Sequence, residues 1–364
     1  MSDLSSLFLY LFCFTGSAYL LSIGIKKSSK LLRFIALLIP ILLIGFRHGV
    51  GTDFDNYVIF FEEYSVASIF NLLSLTDTSG IEIGFLALII FSALFTSAPW
   101  LMFLLSSTAT IAIAYLAIKR LSPASVPLAF LLYLLVLAPF LMNGVRQGIA
   151  VSIVFFAYSY IIQGNPIKYI LTIIVASLFH TSALALLPLY LFRFITVKNR
   201  ADEALTLTVS ILVAIISVLL IPLGILLLST IPVLSAYSRY VGFESGIALA
   251  PIVLMAILIV IVVALYHRVT DKFPAMKLMA ALLFIEFASL LLGGISAAFS
   301  RMSFYLVIGG LVYMANIPLI FSNDTRRVSQ FIVTFYGISY FTYFYFINGY
   351  SDIFPYITIW SGSL

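Results

Sequence analysis

The stretch LSSLFLYLFCFTGSAYLLSIGI, residues 4–25, decides the fold class of this chain. It carries no charge, and about 20 consecutive, mostly apolar residues form a helix that crosses a bilayer core of ~30 Å. No basic segment precedes it and no small-residue cleavage site follows it, so we expect a retained membrane span rather than a cleaved signal peptide. Four basic residues come directly afterwards, at Lys26, Lys27, Lys30 and Arg33.

The composition extends this interpretation to the whole chain. Of its 364 residues, 63% are hydrophobic and 9% are charged, whereas a soluble domain has about 25% charged residues. The mean hydropathy is +1.18. The alternating segments of about ten residues that are typical of a β-barrel are absent. We therefore predict an all-α polytopic membrane protein, with a single integral membrane domain over residues 1–364.

The apolar runs predict about twelve transmembrane helices. A further apolar segment, 81–98, would reverse the side of every later loop if it crossed fully, so we expect it to be re-entrant, with both termini outside. The alternative is thirteen crossings with one terminus inside. The predicted spans are 4–25, 31–46, 99–118, 124–142, 145–163, 166–180, 181–197, 204–228, 247–266, 278–295, 302–321 and 328–347.

The basic residues assign a side to each loop, because Lys and Arg favour the cytoplasmic side of a membrane. Of the 19 Lys and Arg, 15 fall in the predicted inside loops, including all eight Lys. The net charge of +5 therefore reflects topology, and we expect no nucleic-acid partner. The basic residues predicted to lie outside are all arginines, whose planar donor fork suits phosphate. They are Arg47, Arg146, Arg239 and Arg301.

Two predicted outside connections are long enough to be periplasmic loops. They are 47–80, which we expect to line a site, and 229–246. The aromatic stretch GYSDIFPYITIW, residues 349–360, is too short to cross and is expected on the outer surface.

The stretch FRHGVGTDFDNY, residues 46–57, concentrates charge between two apolar segments. Gly49 and Gly51 permit a backbone that approaches a ligand closely, and Asp53 and Asp55 place carboxylates at the membrane surface. The stretch is a candidate for the outer edge of a binding site. The alternative is a solvated loop between two spans, where charges cost little.

Two further polar residues interrupt apolar runs. In MNGVRQGIAVSIVFFAYSYII, 142–162, Arg146 begins a span, where an arginine either faces a cavity or partner or extends to the interface. In ASLFHTSALALLPLY, 176–190, His180 is the residue type best able to exchange a proton near neutral pH. Alternatively, it is a hydrogen-bonded structural residue. No HExxH or Cys/His pattern surrounds it, so we expect no metal site. The lone Cys13 excludes an intrachain disulfide.

Two Ser-Arg pairs, each with a tyrosine close behind, occur late in the chain. Their hydroxyls can hold the guanidinium or contact a sugar, and the alternative is an interfacial aromatic belt. Glu286, within a predicted span, either pairs with an arginine or stays protonated. No GxxxxGK[ST] motif is present, so energy must come from the substrate or a gradient. The pairs are Ser238-Arg239 before Tyr240 and Ser300-Arg301 before Tyr305.

Taken in order, these stretches resemble the EpsG branch of the Wzy-type bacterial polysaccharide polymerases. The resemblance covers the chain from end to end, and the order, spacing and shared predicted side of the motifs carry it. Phe54 stands where we expect a tyrosine, which weakens any role for an aromatic hydroxyl there. The motifs are the segment from Arg47 to Tyr57, VRQGIA at 145–150, FHTSA at 179–183 and the Ser-Arg pairs at 238–239 and 300–301.

The resemblance implies a GT-C-like glycosyltransferase architecture and a polymerase activity. Such enzymes transfer a growing glycan from undecaprenyl pyrophosphate to the non-reducing end of another lipid-linked repeat unit, on the periplasmic side of the bacterial inner membrane. The partners implied are undecaprenyl-pyrophosphate-linked oligosaccharides and membrane lipids, with a chain-length regulator protein as a further candidate. We expect no cofactor and no metal.

Within such a site, Arg47 is expected to shape the loop over the acceptor. One general base is required, and Asp53 and His180 are both candidates. Three arginines are expected to bind the pyrophosphate or hold its charge: Arg146, Arg239 and Arg301. The remaining candidates for contact with substrate are Asp55, Tyr57, Tyr240 and Tyr305.

Other activities fit part of the pattern. An O-antigen ligase uses the same donor with a lipid acceptor, but ligases usually have a large outside loop in the second half of the chain, and the longest one predicted here is 47–80. A lipid-linked oligosaccharide flippase would line a central cavity with charges and show related halves. Only Glu286 lies at that depth, and no repeat is evident. A membrane acyltransferase is a more distant alternative.

Overall fold

The computed structural model describes residues 2–196, 249–293 and 297–361. Over these ranges the secondary structure is helical. The β-type pairing within them is an isolated antiparallel bridge between Arg47 and Thr358.

Several helices of the first range begin at an N-cap residue or end at a glycine. The side chain of Ser29 accepts a hydrogen bond from the Leu32 amide at the start of the helix Lys30–Gly45. Gly164, at φ 71°, ends the helix Val145–Gln163 in the left-handed conformation. These α-helices are α1 (Asp3–Lys26), α2 (Lys30–Gly45), α3 (Phe54–Tyr64), α4 (Leu72–Ser79), α5 (Ile83–Ala93), α6 (Trp100–Leu121), α7 (Val126–Val136), α8 (Ala138–Asn143), α9 (Val145–Gln163), α10 (Pro166–Ser177) and α11 (Phe192–Thr196).

The remaining ranges contain five α-helices. Short 3₁₀ segments occur at Ile69–Asn71, Thr181–Leu191 and Ile317–Ile320, and a π-helical segment follows the last α-helix at Thr342–Ile347. The five helices are α12 (Leu249–Lys272), α13 (Met276–Leu292), α14 (Ala297–Ser303), α15 (Ile308–Asn316) and α16 (Asn323–Phe341).

Five described helical segments are long and apolar enough to cross a membrane. The pair formed by α3 and Ile69–Ser79, bent by 109°, would make a sixth. The chain is therefore a multi-pass membrane protein whose described parts are helical, while twelve spans and a GT-C-like architecture stay predictions. The predicted span 204–228 lies outside the described residues. The five segments are Asp3–Lys26, Trp100–Leu121, Val145–Gln163, Leu249–Lys272 and Ser300–Ile320.

Several predicted spans are not continuous α-helices. In 302–321, residues 304–307 separate α14 from α15. The span 124–142 is divided at Leu137 into α7 and α8, because Pro139 has no amide with which to continue the hydrogen bonds of α7. The span 181–197 begins as an 11-residue 3₁₀ helix that contains Pro188.

The region between α2 and α6 also differs from a simple loop. Residues 47–80, expected to form a connection, contain the two helices α3 and α4. Segment 81–98, expected to be re-entrant, contains the 11-residue helix α5. At 1.5 Å per residue this helix is about 16 Å long, roughly half of a ~30 Å bilayer core.

The two ends of α9 carry different sets of charged residues. Arg146 lies in its first turn. Near its other end, the Tyr160 ring centre lies 5.7 Å from the guanidinium of Arg120 and 6.0 Å from the ammonium of Lys168. Arg193 donates a 3.0 Å hydrogen bond to a carbonyl in the last turn. The helix α9 is about 28 Å long, which is close to the thickness of a membrane core. Arg146, predicted outside, therefore lies about a membrane thickness from the three basic residues predicted inside.

Part of the aromatic stretch 349–360 packs into the helical domain, while Tyr350 and Trp360 are exposed. Ile353 is fully buried and Tyr356 is 4% exposed. The Tyr10 hydroxyl donates a 3.2 Å hydrogen bond to the carbonyl of Ile353, and the Tyr356 hydroxyl donates a 2.7 Å bond to the carbonyl of Leu43. These bonds satisfy polar groups of the buried part of the stretch among apolar neighbours.

Candidate functional site

One carboxylate connects two of the predicted catalytic residues. Oε2 of Glu82 accepts a 2.6 Å hydrogen bond from Nη1 of Arg146, and Oε1 lies 2.8 Å from Nδ1 of His180. The amide of Thr181 donates to the same Oε1 at 3.3 Å. The side chains are 11%, 22% and 16% exposed for Glu82, Arg146 and His180. We call these three residues the Glu82 cluster.

Local backbone structure brings the Glu82 cluster together. Glu82 directly precedes α5, Arg146 lies in the first turn of α9, and His180 directly precedes a 3₁₀ helix. The amide of Gly84 donates a 2.7 Å hydrogen bond to the carbonyl of Leu178. The start of α5 is thereby fixed against the chain that leads to His180.

The charge state of Glu82 follows from opposing effects. Burial disfavours the ionised carboxyl, but the hydrogen bond with His180 and the positive charge of Arg146 outweigh it, so the pKa of Glu82 lies below its ordinary value of 4.5. At neutral pH, Glu82 is therefore a carboxylate, which accepts hydrogen bonds and donates none.

Arg146 has an unpaired hydrogen-bond donor in addition to the Nη1 group that binds Glu82. Its Nε is buried and has no hydrogen-bond partner among the described residues. The Tyr57 hydroxyl interacts with the guanidinium, and the Phe60 ring centre lies 5.8 Å from it. Because an unpaired buried donor is costly, the oxygen of an anionic ligand would complete this environment.

Arg47 lies beneath the turn that precedes α3, not on its surface. It is 1% exposed and donates hydrogen bonds to three backbone carbonyls, those of Ile44 at 2.7 Å, Val50 at 3.2 Å and Met142 at 2.7 Å. Its Cζ lies 4.6 Å from the ring centre of Phe103. Burial lowers the pKa of Arg47 to about 10, so it remains charged at neutral pH. Arg47 therefore ties the turn to the residues just before Arg146.

The predicted carboxylates of this turn are accessible. Asp53 directly precedes α3 and is partly exposed, and Asp55 in the first turn is exposed. Within the described ranges, neither carboxylate makes a hydrogen bond to another group. Asp53 interacts electrostatically with Tyr57, one helical turn later. Asp53 therefore lies near the cluster without being held by it.

The late Ser-Arg pair is joined to the same region. The carbonyl of Arg301, whose side chain is exposed, accepts a 2.9 Å hydrogen bond from the Gln147 side-chain amide. The buried Tyr305 hydroxyl lies 2.9 Å from the Ser182 hydroxyl. Gln147 is adjacent to Arg146, and Ser182 is two residues from His180. The C-terminal end of α14 and the residues after it therefore border the Glu82 cluster.

The structure thus gathers most of the described residues that were predicted as candidates. Tyr57, Arg146 and His180 are linked through direct contacts and Glu82, and Arg301 and Tyr305 are joined through Gln147 and Ser182. Arg47, Asp53 and Asp55 lie in the turn and first helical residues alongside. The predicted residues Arg239 and Tyr240, the preceding Ser238 and the loop 229–246 lie outside the described residues.

Glu82 is the residue that sequence reasoning missed. A signal was available, since Glu82 is the one acid in the apolar segment 81–98. An ionisable residue at the start of an apolar segment is expensive unless it has a partner or function. Its two partners, however, follow 64 and 98 residues later in the chain.

A cavity of about 190 Å³ borders the helix that carries Arg301. Most of its wall is apolar, and Ser300 contributes to it. Glu286 also lines it, is 4% exposed, and has an Oε2 without a hydrogen-bond partner in the described parts of the chain. Tyr336 and Tyr340 contribute hydroxyl groups to its wall. The cavity can therefore hold an apolar group close to Arg301.

Across the described ranges, no group of three or more His, Cys, Asp or Glu side chains is placed to hold a metal ion. That neither a metal nor a cofactor takes part stays a prediction.

The sequence model of the EpsG family matches residues 30–358. The chain belongs to the EpsG family. This confirms the resemblance drawn from the order of the motifs, and the matched range includes the whole Glu82 cluster. EpsG membership points to a role in polysaccharide polymerisation. Searches among curated proteins and among solved structures found no match.

Proposed function

We propose that this EpsG-family protein polymerises lipid-linked oligosaccharide repeat units. It transfers the growing glycan from undecaprenyl pyrophosphate to the non-reducing end of another lipid-linked unit, on the periplasmic side of the bacterial inner membrane. The observation that carries the proposal is the Glu82 cluster, in which an arginine with an unpaired donor lies beside a histidine at one end of α9.

The reaction needs stabilisation of a leaving group and removal of one proton. The acceptor hydroxyl oxygen attacks the anomeric carbon of the donor glycan, and the bond from that carbon to the diphosphate oxygen breaks, with its electron pair leaving on undecaprenyl pyrophosphate. Arginines held in place stabilise this developing charge. Arg146 supplies the buried donor and Arg301 an exposed cation nearby, with Arg239 as the third. In our proposal these arginines act without a metal.

The acceptor side is formed by the turn and helix at 47–57. Arg47 fixes this turn through its three carbonyl bonds. In our proposal Asp55, Tyr57, Tyr240 and Tyr305 contact the sugar. The hydroxyl proton passes to one general base, either Asp53 or His180.

The lipid carrier is accommodated by apolar surface. The cavity beside Ser300 would hold the part of the polyprenyl chain next to the diphosphate. Membrane lipids cover exposed apolar side chains such as Phe12, 77% exposed, and Val260, 67% exposed. A chain-length regulator protein is the partner we propose for setting the number of repeats.

The test is a gel of envelope polysaccharide from a host that lacks this gene. The wild-type protein, Arg146→Ala, Arg146→Lys and Arg327→Ala would each be expressed in it. We expect the wild type and Arg327→Ala, an exposed arginine on the predicted inside, to restore a ladder of repeats. Both Arg146 variants should leave one repeat on its acceptor, because a lysine cannot reproduce the planar fork.

The pattern of loss separates the proposal from its alternatives. A deletion strain that attaches no repeat at all would point to a ligase or a flippase, and the leaflet on which the precursor accumulates would distinguish those two. A normal ladder from Arg146→Ala, with the protein inserted at wild-type level, would refute the role of Arg146.

A further inference from the structure

The contact between Glu82 and His180 determines which nitrogen of the histidine is available. Nδ1 of His180 lies 2.8 Å from Oε1 of Glu82. A carboxylate can only accept, so this bond requires a proton on Nδ1. In a neutral imidazole the other nitrogen, Nε2, then carries the lone pair.

We propose that Glu82 is a positioning residue that makes His180 the general base, by holding the Nδ1–H tautomer so that Nε2 accepts the proton of the acceptor hydroxyl. This assignment rests on the proposed polymerase function and decides between the two candidate bases. It also gives Glu82 a second task, since its other oxygen holds Arg146.

The orientation of Glu82 is fixed by three donors. Oε2 is bound by Arg146 at 2.6 Å, and Oε1 by His180 and by the Thr181 amide at 3.3 Å. A carboxylate bound on both oxygens cannot rotate without losing a charge-assisted bond. The same carboxylate therefore sets the position of the base relative to that of the leaving-group arginine, and such fixed geometry is a main source of rate enhancement.

Asp53 lacks this support. It is partly exposed, and its carboxylate has no hydrogen bond to any group in the described ranges. Among the described residues, the ionisable groups beside the cluster include Tyr57 from α3, Asp53 just before it, and Tyr305 beyond Ser182. None of these three is held by hydrogen bonds to the cluster as a second proton acceptor.

The proton and electron balance closes without another reagent. The acceptor oxygen forms its bond to the anomeric carbon as its proton moves to Nε2 of His180. The diphosphate leaves with the electron pair of the broken bond. The resulting imidazolium keeps its Nδ1–H bond to the Glu82 carboxylate, which stabilises the charge, and then releases the Nε2 proton to water.

The first test is spectroscopic and does not depend on activity. The chain has three histidines, and the other two, His48 and His267, are exposed. In a ¹⁵N-histidine-labelled His48→Gln, His267→Gln protein, the remaining ring signals report the tautomer of His180. At a pH where the ring is neutral we expect Nδ1–H, and a mixture after Glu82→Gln, since the amide can also donate. A dominant Nε2–H tautomer with Glu82 intact would overturn the proposal.

The second test is the pH dependence of polymerisation by purified protein in membranes. Glu82→Gln should lower kcat by about 10² to 10⁴, the usual contribution of general acid–base catalysis, with KM nearly unchanged. A general base must be unprotonated to act, so the wild-type pH profile should have an acidic limb. His180→Gln should lose that limb altogether. Glu62→Gln, an exposed glutamate on α3, is the matched control and should behave as wild type.

The outcomes separate this proposal from the function on which it rests. Loss of the acidic limb in Asp53→Asn, with the limb kept in His180→Gln, would make Asp53 the base and overturn the assignment. A Glu82→Gln variant with wild-type kcat and KM and only a lower yield of folded protein would show a structural role. A wild-type protein that extends no glycan would count against the polymerase function. The ¹⁵N spectrum would still show whether Glu82 holds His180 in the Nδ1–H tautomer.

Discussion

The amide of Gly84 donates a 2.7 Å hydrogen bond to the carbonyl of Leu178, and a Cβ atom at Gly84 would lie 2.7 Å from that same oxygen. A carbon atom cannot approach a carbonyl oxygen so closely without displacing it. The start of α5 therefore meets the chain before His180 only because residue 84 has no side chain. This close approach places Glu82 within hydrogen-bond distance of His180.

We expect Gly84→Ala to reduce activity more than stability. The added methyl group must push α5 away from Leu178, at a cost of roughly 1–3 kcal/mol. A displacement of about 1 Å at a reacting group can lower the rate about 100-fold. Polymer yield and the melting temperature of the purified protein should both be measured. Gly16→Ala is the control, because a Cβ there would meet nothing within 4 Å, and full activity of Gly84→Ala would contradict the positioning argument.

We expect substitution of Arg47 to destabilise the folded protein. Replacing it with Ala leaves the carbonyls of Ile44, Val50 and Met142 without their shared donor, and we expect a loss of about 3 kcal/mol in the free energy of unfolding. Arg47→Lys should recover little, since an ammonium cannot reproduce the planar fork that reaches all three. Denaturation of the purified variants measures this, with the exposed Arg327→Ala as control. Wild-type stability in Arg47→Ala would show that water replaces the guanidinium.

The sequence identifies Arg146 and His180 as candidate site residues but does not show that Glu82 links them. Arg146 and His180 stand out because charge is costly within apolar runs. Their connection through Glu82 depends on packing between segments 64 and 98 residues apart, which periodicity does not encode. The partners of Arg47 are also unreadable from sequence, because every residue offers a backbone carbonyl.

For the fold, too, local features could be predicted from the sequence and contacts between distant segments could not. Helices α6, α9 and α12 lie close to their predicted spans, because apolar length is a direct requirement of the bilayer. The break between α7 and α8 follows from Pro139, a local signal. The burial of Ile353 and Tyr356 was not predicted, since it depends on hydrogen bonds to distant backbone groups.

Glu82 makes stability depend on pH in a definite direction. Because its pKa in the folded protein lies below the ordinary 4.5, its contribution is fully present above that value and is lost as the pH falls through the folded-state pKa. As the pH falls below 4.5, the difference in melting temperature between wild type and Glu82→Gln should shrink. A difference that grew over that acidic range would contradict this sign.

We expect the Tyr356 hydroxyl to stabilise the folded protein. Tyr356→Phe removes a buried 2.7 Å bond to the Leu43 carbonyl, and we expect a loss of about 1–2 kcal/mol because that acceptor stays buried. Tyr19→Phe, at a side chain that is 69% exposed, is the matched control and should be neutral. Equal melting temperatures for both variants would mean that the stretch 349–360 contributes little to the fold.

We expect that filling the cavity beside Ser300 will weaken binding of the lipid carrier. Met255 lines the cavity from α12, so Met255→Trp should fill part of its ~190 Å³ and exclude an apolar chain. We expect a KM for the lipid-linked donor raised by about tenfold or more, since lost apolar burial acts on binding. Ile257→Trp, on the exposed side of the same helix, adds the same group without entering the cavity. Both variants should keep the wild-type melting temperature to within a few degrees. An equal KM in Met255→Trp and Ile257→Trp would place the polyprenyl chain elsewhere, while a fall in kcat alone would indicate that the cavity affects the position of Arg301 and not the binding of lipid.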